Sequence, residues 1–122
     1  MKILRASQWD LITCSKDGEP NVVPIHFREV TPDGKLLVGD VFLNTTLENL
    51  RENGGRIAVS AYDPATFEGV QVKGVAEHVA KGAIVEKFNG QVERMFNGGA
   101  TAKGALVITP QRTIVATSGA DN

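Results

Sequence analysis

A chain of 122 residues, 42% of them hydrophobic, has the size and composition of one globular domain. Its 13 basic and 14 acidic side chains are interspersed and leave a net charge of -1, which removes the electrostatic reason to expect a nucleic-acid or membrane-surface partner. No run approaches the roughly 20 apolar residues of a membrane-spanning helix; the polar stretch from Met1 to Trp9 reads as no signal peptide; and the single cysteine, Cys14, excludes an internal disulfide and is expected to be a buried thiol in a reducing cytoplasm.

In chain order, Leu11 to Cys14 reads as a short strand, and Asp17-Gly18 as the tight turn of a hairpin. Asn21 to Val30 reads as the next strand. Val23, Ile25 and Phe27 fall on one face by alternation, and His26 and Arg28 on the other. Pro24 cannot donate to a ladder, so it marks an edge, a bulge or a place where pairing stops. The segment Thr31 to Lys35 (TPDGK) is a second hairpin turn. Leu36 to Leu43 is a largely apolar strand interrupted by Gly39 and Asp40.

A helix follows, with Leu47 and Leu50 three apart and a stop at Asn53-Gly54-Gly55. Arg56 to Tyr62 alternates as a strand, and Asp63-Pro64 breaks it. Val70 to Val79 is another strand, with Gly74 in its middle. Ile84, Val85, Phe88, Val92, Met95 and Phe96 recur at helical spacing and predict an amphipathic helix that packs its apolar stripe on the sheet. Gly90 is a poor helix former inside it. The segments 105–110 and 112–117 form a final strand or strand pair before a polar tail. Hairpin connections mean antiparallel pairing, and a chain this small buries its apolar faces best by curling the sheet. The expected fold is therefore mainly β: one domain over residues 1–122, a six-stranded antiparallel barrel with two helices, with a flat α+β sheet as the alternative.

At the junction of the third strand and the first helix stand Asn44, Thr45 and Thr46. Two readings are open there. Thr45 and Glu48 have the spacing of a capping box, which would satisfy the helix end internally. Alternatively, the unpaired N–H groups and the positive helix end, with two hydroxyls and an amide, form a seat for an anion such as phosphate. Asp40 just before this loop, His26 on the polar side of its strand, and Gln71 and Lys73 on one face of a later strand are further polar candidates. His26 and His78 have no partners at metal-ligand spacing, so no metal site is expected. His78 reads as a solvated strand residue, and Trp9 and Tyr62 as core or interface anchors. No nucleophile elbow, dinucleotide fingerprint or P-loop occurs.

In order and spacing, DGEPNVVPIHF (Asp17 to Phe27), LLVGDVFLNTTLENLREN (Leu36 to Asn53) and VQVKGVAEHV (Val70 to Val79) resemble the flavin-binding split-barrel family. They are most similar to the small FMN-binding proteins related to pyridoxamine 5'-phosphate oxidase, and Gly104 to Asn122 resembles the closing strand and tail. The resemblance implies a six-stranded split barrel that forms a homodimer with one FMN in each of two interface grooves. It implies that the phosphate sits near Asn44, Thr45 and Thr46. The ring would lie against Val23, Pro24, Ile25, His26 and Phe27, and against Asp40, Val41 and Phe42. Gln71 to Lys73 would line the groove, and a partner's segment from Arg112 to Ser118 would complete its wall.

Many relatives carry Lys-Thr where this chain has Thr45-Thr46, so a direct counter-charge for the phosphate is missing; Lys73, Arg51 or a partner's arginine would have to supply it. The implied function is an FMN-dependent oxidoreductase taking electrons from a nicotinamide or protein donor, with pyridoxamine 5'-phosphate not expected as substrate. A non-enzymatic FMN electron carrier and a flavin-free barrel, including a haem-binding one, are the alternatives.

Overall fold

The computed structural model describes residues 2–6 and 8–115. Its elements are α1 (Lys2–Ala6), β1 (Trp9–Cys14), β2 (Pro20–Ile25), β3 (Arg28–Val30), β4 (Leu36–Gly39), α2 (Asn44–Asn53), β5 (Arg56–Asp63), β6 (Glu68–Val79), α3 (Ala83–Phe96) and β7 (Ala105–Val115).

Seven strands form one antiparallel sheet in the order β2-β1-β5-β6-β7-β4-β3. The two outermost strands, β2 and β3, are separated in sequence only by His26 and Phe27. Three peptide steps span at most about 11 Å. The sheet must therefore curl until its edges nearly meet, which makes a barrel split along one seam. The strand count is seven and not six because the expected strand Asn21 to Val30 changes edges halfway. Arg28 Nη1 donates to the His26 carbonyl at 2.9 Å, and Gly39 N–H to the Phe27 carbonyl at 2.9 Å, fixing the corner. The prolines of β2 are tolerated because it is an edge strand.

Alternation places Trp9, Leu11 and Thr13 of β1 inside. Its neighbours Asp10, Ile12 and Cys14 face outward, so Cys14 is exposed and not the buried thiol expected. Trp9 and Leu11 meet Val38, Val59, Val72, Leu106 and Ile108 in the barrel core. Each such side chain contributes roughly 1.5–3 kcal/mol when fully buried. A third helix, α1, precedes the barrel, and its Leu4 joins the core while its carbonyl accepts from Trp9 Nε1 at 2.8 Å.

A second cluster lies on the outer face of the sheet. Val85, Phe88 and Val92 of α3 pack on Phe27, Leu37 and Ala105, so β4 is buried on both faces. β7 is one continuous strand, bent against β6 where the register shifts at Lys73/Gly74. There a Cβ on Gly74 would lie 2.4 Å from the Thr109 carbonyl oxygen, so the close approach requires glycine. α2 ends as expected, with Gly54 left-handed and its N–H bonded to the Leu50 carbonyl.

Candidate functional site

The seam of the barrel and the turn from β4 into α2 lie side by side. β4 stops at Gly39, four residues before the expected end at Leu43. A Cβ on Gly39 would come within 3.1 Å of both Phe27 Cβ and Phe88 Cγ. Val41 N–H then closes a three-residue turn on the Gly39 carbonyl at 3.0 Å, and Phe42 takes φ 62°. A left-handed phenylalanine costs about 1–3 kcal/mol and persists only where its surroundings over-determine it.

Phe42 is 72% exposed. Its ring meets Phe96 of α3 edge-on, with centroids 6.1 Å apart, and Phe96 lies 6.3 Å from Phe27. These rings bound a cleft of about 140 Å³. Pro24, Ile25 and His26 form one wall, Val41 and Phe42 the other, and Met95 and Phe96 the rim. The expected apolar stripe of α3 therefore divides: Val85, Phe88 and Val92 are core, whereas Met95 and Phe96 open onto the cleft.

On the other side of Phe42 is a second depression, of about 350 Å³, lined by Asn44, the segment Gly98 to Thr101, and Lys103. α2 begins here. Its N-cap is Leu43, with no side-chain cap hydrogen bond and no acidic residue in the first turn. The capping box is not formed, because the N-cap is Leu43 and the helix starts at Asn44, which places Thr45 and Glu48 two positions too far along. The first N–H groups of the helix therefore have no side-chain cap at its positive end.

The candidate residues divide as follows. Pro24, Ile25, His26, Val41 and Phe42 meet in the cleft, and Asn44 lines the seat beside it. Thr45 is exposed on the first turn. Thr46 is only 1% exposed: its hydroxyl faces the barrel wall, 3.5 Å from Asn21 Nδ2, and only its backbone belongs to the helix start. Val23 packs on the barrel core and does not face the cleft. Asp40 is 2% exposed and turns its carboxylate to His78 at 2.9 Å, away from the cleft. His78 is an exposed strand residue, as read from the sequence, and its ring also makes that contact.

Gln71 and Lys73 stand on β6, three strands from β2, or roughly 14 Å across the sheet. Lys73 lines a separate open groove with Cys14, Lys16, Glu52 and Arg56. Within one chain these two residues do not join the cleft. Arg112 to Val115 lie on β7, and the rest of the segment expected to reach a partner, 116–118, lies outside the described residues.

The cation missing from the helix start in the sequence has a counterpart in space. Lys103 N–H donates to the Asp40 carbonyl at 3.0 Å and Asp40 N–H to the Gly104 carbonyl at 2.9 Å. These bonds extend the β4–β7 ladder and set Lys103 beside Asn44. Its sequence signal was only its place just before β7. Among the described residues no group of three His, Cys, Asp or Glu side chains could hold a metal ion. None of their helices is long and apolar enough to cross a membrane.

Comparison with known proteins adds to this geometry. Residues 10–117 match the pyridoxamine 5'-phosphate oxidase family. An uncharacterized protein of Methanocaldococcus jannaschii is 33% identical over 100 residues, covering 80% of this chain; the chain spans 65% of that relative's length. The fold is similar to an FMN-binding protein from Syntrophomonas wolfei (TM-score 0.80, 16% identity, 94% of this chain and 82% of that one). It is similar also to HupZ of Group A Streptococcus (TM-score 0.77, 20% identity, 96% and 90%). HutZ, the haem storage protein of Vibrio cholerae, shares the fold at TM-score 0.67 and 15% identity, covering 88% and 84%. At these identities the structures speak for the split-barrel fold alone.

Proposed function

This chain belongs to the pyridoxamine 5'-phosphate oxidase family, and from that premise we propose that it binds FMN at the Phe42 corner and acts as an FMN-dependent oxidoreductase. One observation carries the reading: Phe42 is shared by an apolar aromatic cleft and a polar seat with an uncapped helix start. That pairing fits a ligand with a flat apolar ring at one end and a phosphate at the other.

The residues fit the group. Asn44, Thr45 and the first backbone N–H groups of α2 would hold the phosphate, with Lys103 as the counter-charge that Thr45 does not supply. Pro24, Ile25, Phe42 and Phe96 would hold the ring, and His26 would stand at its polar edge. Bound FMN supplies the hydride or electron transfer, so the chain needs no nucleophile of its own. The protein's part is to orient the ring and keep water from one face of it.

A cleft of about 140 Å³ is smaller than the sites that usually enclose cofactors, about 300–1,000 Å³. This supports a homodimer in which the partner covers the exposed Phe42, Met95 and Phe96. The outward face carrying Gln71, Lys73 and Arg112 is the proposed covering surface, and it would bring these residues to the FMN across the interface. The electron donor would be a nicotinamide or a protein.

The test is FMN titration of the purified protein, read by quenching of flavin fluorescence, followed by an NADH and NADPH oxidation assay. Saturable quenching with turnover supports the enzyme. Quenching without turnover on either nicotinamide supports an electron carrier with a protein donor. No quenching overturns the reading. A second reading, haem binding, rests on His26 and Met95 in the same aromatic cleft; a Soret band on adding haemin, in place of flavin quenching, would select it.

A further inference from the structure

A buried charge needs a partner, and the Asp40 carboxylate is buried with His78 Nε2 as its partner, 2.9 Å from Oδ2. An ionised carboxylate only accepts, so with Asp40 as the acceptor the Nε2–H of His78 is the donor. The ring reaches this position because residue 104 is glycine. A Cβ there would lie 2.7 Å from His78 Nε2 and 2.5 Å from the Val79 carbonyl oxygen. The backbone of Asp40 is tied to the same segment twice, through its N–H to the Gly104 carbonyl and its carbonyl to the Lys103 N–H.

Three ties thus converge on one residue, and the residues just after it are the ones that need holding. Val41 closes the tight turn, Phe42 sits at positive φ, and Leu43 opens α2. The backbone ties alone fix the residue's position along the ladder. The side-chain tie to β6 fixes the direction in which the turn leaves it. On its other side the His78 ring faces a solvent-open depression formed by Leu47, Leu50 and Arg51, so His78 is well away from the cleft.

We propose that His78 is a positioning residue for the ligand corner: through Asp40 it orients the turn 40–43, and so the Phe42 wall of the cleft and the first turn of α2. This rests on the reading of that corner as the flavin site and adds a residue that touches no ligand.

The test compares three variants of the full chain. His78→Phe keeps a ring but removes the donor and strands the carboxylate. It is expected to speed amide exchange over residues 41–46 about tenfold or more and to weaken FMN binding about tenfold. His78→Gln, which returns an N–H donor, is expected to restore both. The double variant His78→Phe/Asp40→Asn removes the stranded charge; it is expected to recover the melting temperature of the wild type but not its FMN affinity.

Unchanged exchange and affinity in His78→Phe would overturn the proposal. So would FMN affinity that recovers together with melting temperature in the double variant, since His78 would then act through stability alone. If exchange responds as expected but the wild type binds no FMN, the positioning of the turn stands and the flavin reading fails.

Discussion

Replacing Lys103 by glutamine removes the one cation that lines the seat at the start of α2 among the described residues. Two unit charges 4 Å apart attract by about 1 kcal/mol in water and by several times that where solvent is partly excluded. A phosphate ester carries about -1.5 to -2 charges at neutral pH. Lys103 is exposed, so the water-like figure applies and salt screens part of it. The expected loss is about 1–2 kcal/mol, or roughly 5- to 30-fold in the FMN dissociation constant. Flavin fluorescence titrations at low and high salt measure it. The gap between wild type and variant should narrow as salt rises. A dissociation constant within about twofold of wild type at low salt would refute the assignment of Lys103, because that corresponds to less than about 0.5 kcal/mol.

Four further outcomes are expected. Thr45→Lys restores the side chain many relatives carry, and should tighten FMN binding several-fold, less about 0.3–1 kcal/mol for a cation at a helix N-terminus, in the same titration. Phe96→Ala should lower the melting temperature only by several degrees, because the side chain is 40% exposed, yet weaken binding of FMN and riboflavin alike through loss of the cleft rim. Gly74→Ala must displace the Thr109 backbone, which costs about 1–3 kcal/mol and lowers the melting temperature by roughly 5–15 °C for a domain of this size, measured by calorimetry. The Asp33 carboxyl is held below the usual carboxylate range, chiefly by the Thr31 hydroxyl. A lowered value favours the folded state above the unfolded group's titration and loses that effect as the pH falls through the folded one. Thr31→Val should therefore raise the Asp33 titration seen by NMR.

Local rules made most of the barrel legible. Asp17-Gly18 and TPDGK announced two hairpins, and Ser15 and Thr31 close them as turn chemistry requires. The alternation of Arg56 to Tyr62 is the pattern that puts Ile57, Val59 and Ala61 in the core. What alternation could not show was the change of sheet edge at His26-Phe27: the residues continue to alternate, and only closure of the sheet makes the strand stop.

The site was legible in part, for the same reason. Pro24 to His26 and Val41 to Phe42 were found as segments, and the fold joins them in one cleft. Val23 and Asp40 adjoin those segments and Thr46 stands in the first turn of α2, but packing turns their side chains away from the cleft. Lys103, Phe96 and His78 could not be found from local pattern. They come from roughly 40 to 60 residues away in sequence, and only the ladders of β4 and β6 with β7 and the packing of α3 bring them to the turn. The capping-box spacing misled because the N-cap is Leu43, and a shift of two residues undoes it.

The most direct measurement of the central claim is calorimetric titration of the protein with FMN and, separately, with riboflavin, which has the same ring and no phosphate. If the phosphate docks at the first turn of α2 beside Lys103, FMN should bind at least about tenfold more tightly. Equal affinities would contradict the phosphate seat, and absence of binding by both would contradict the flavin site altogether.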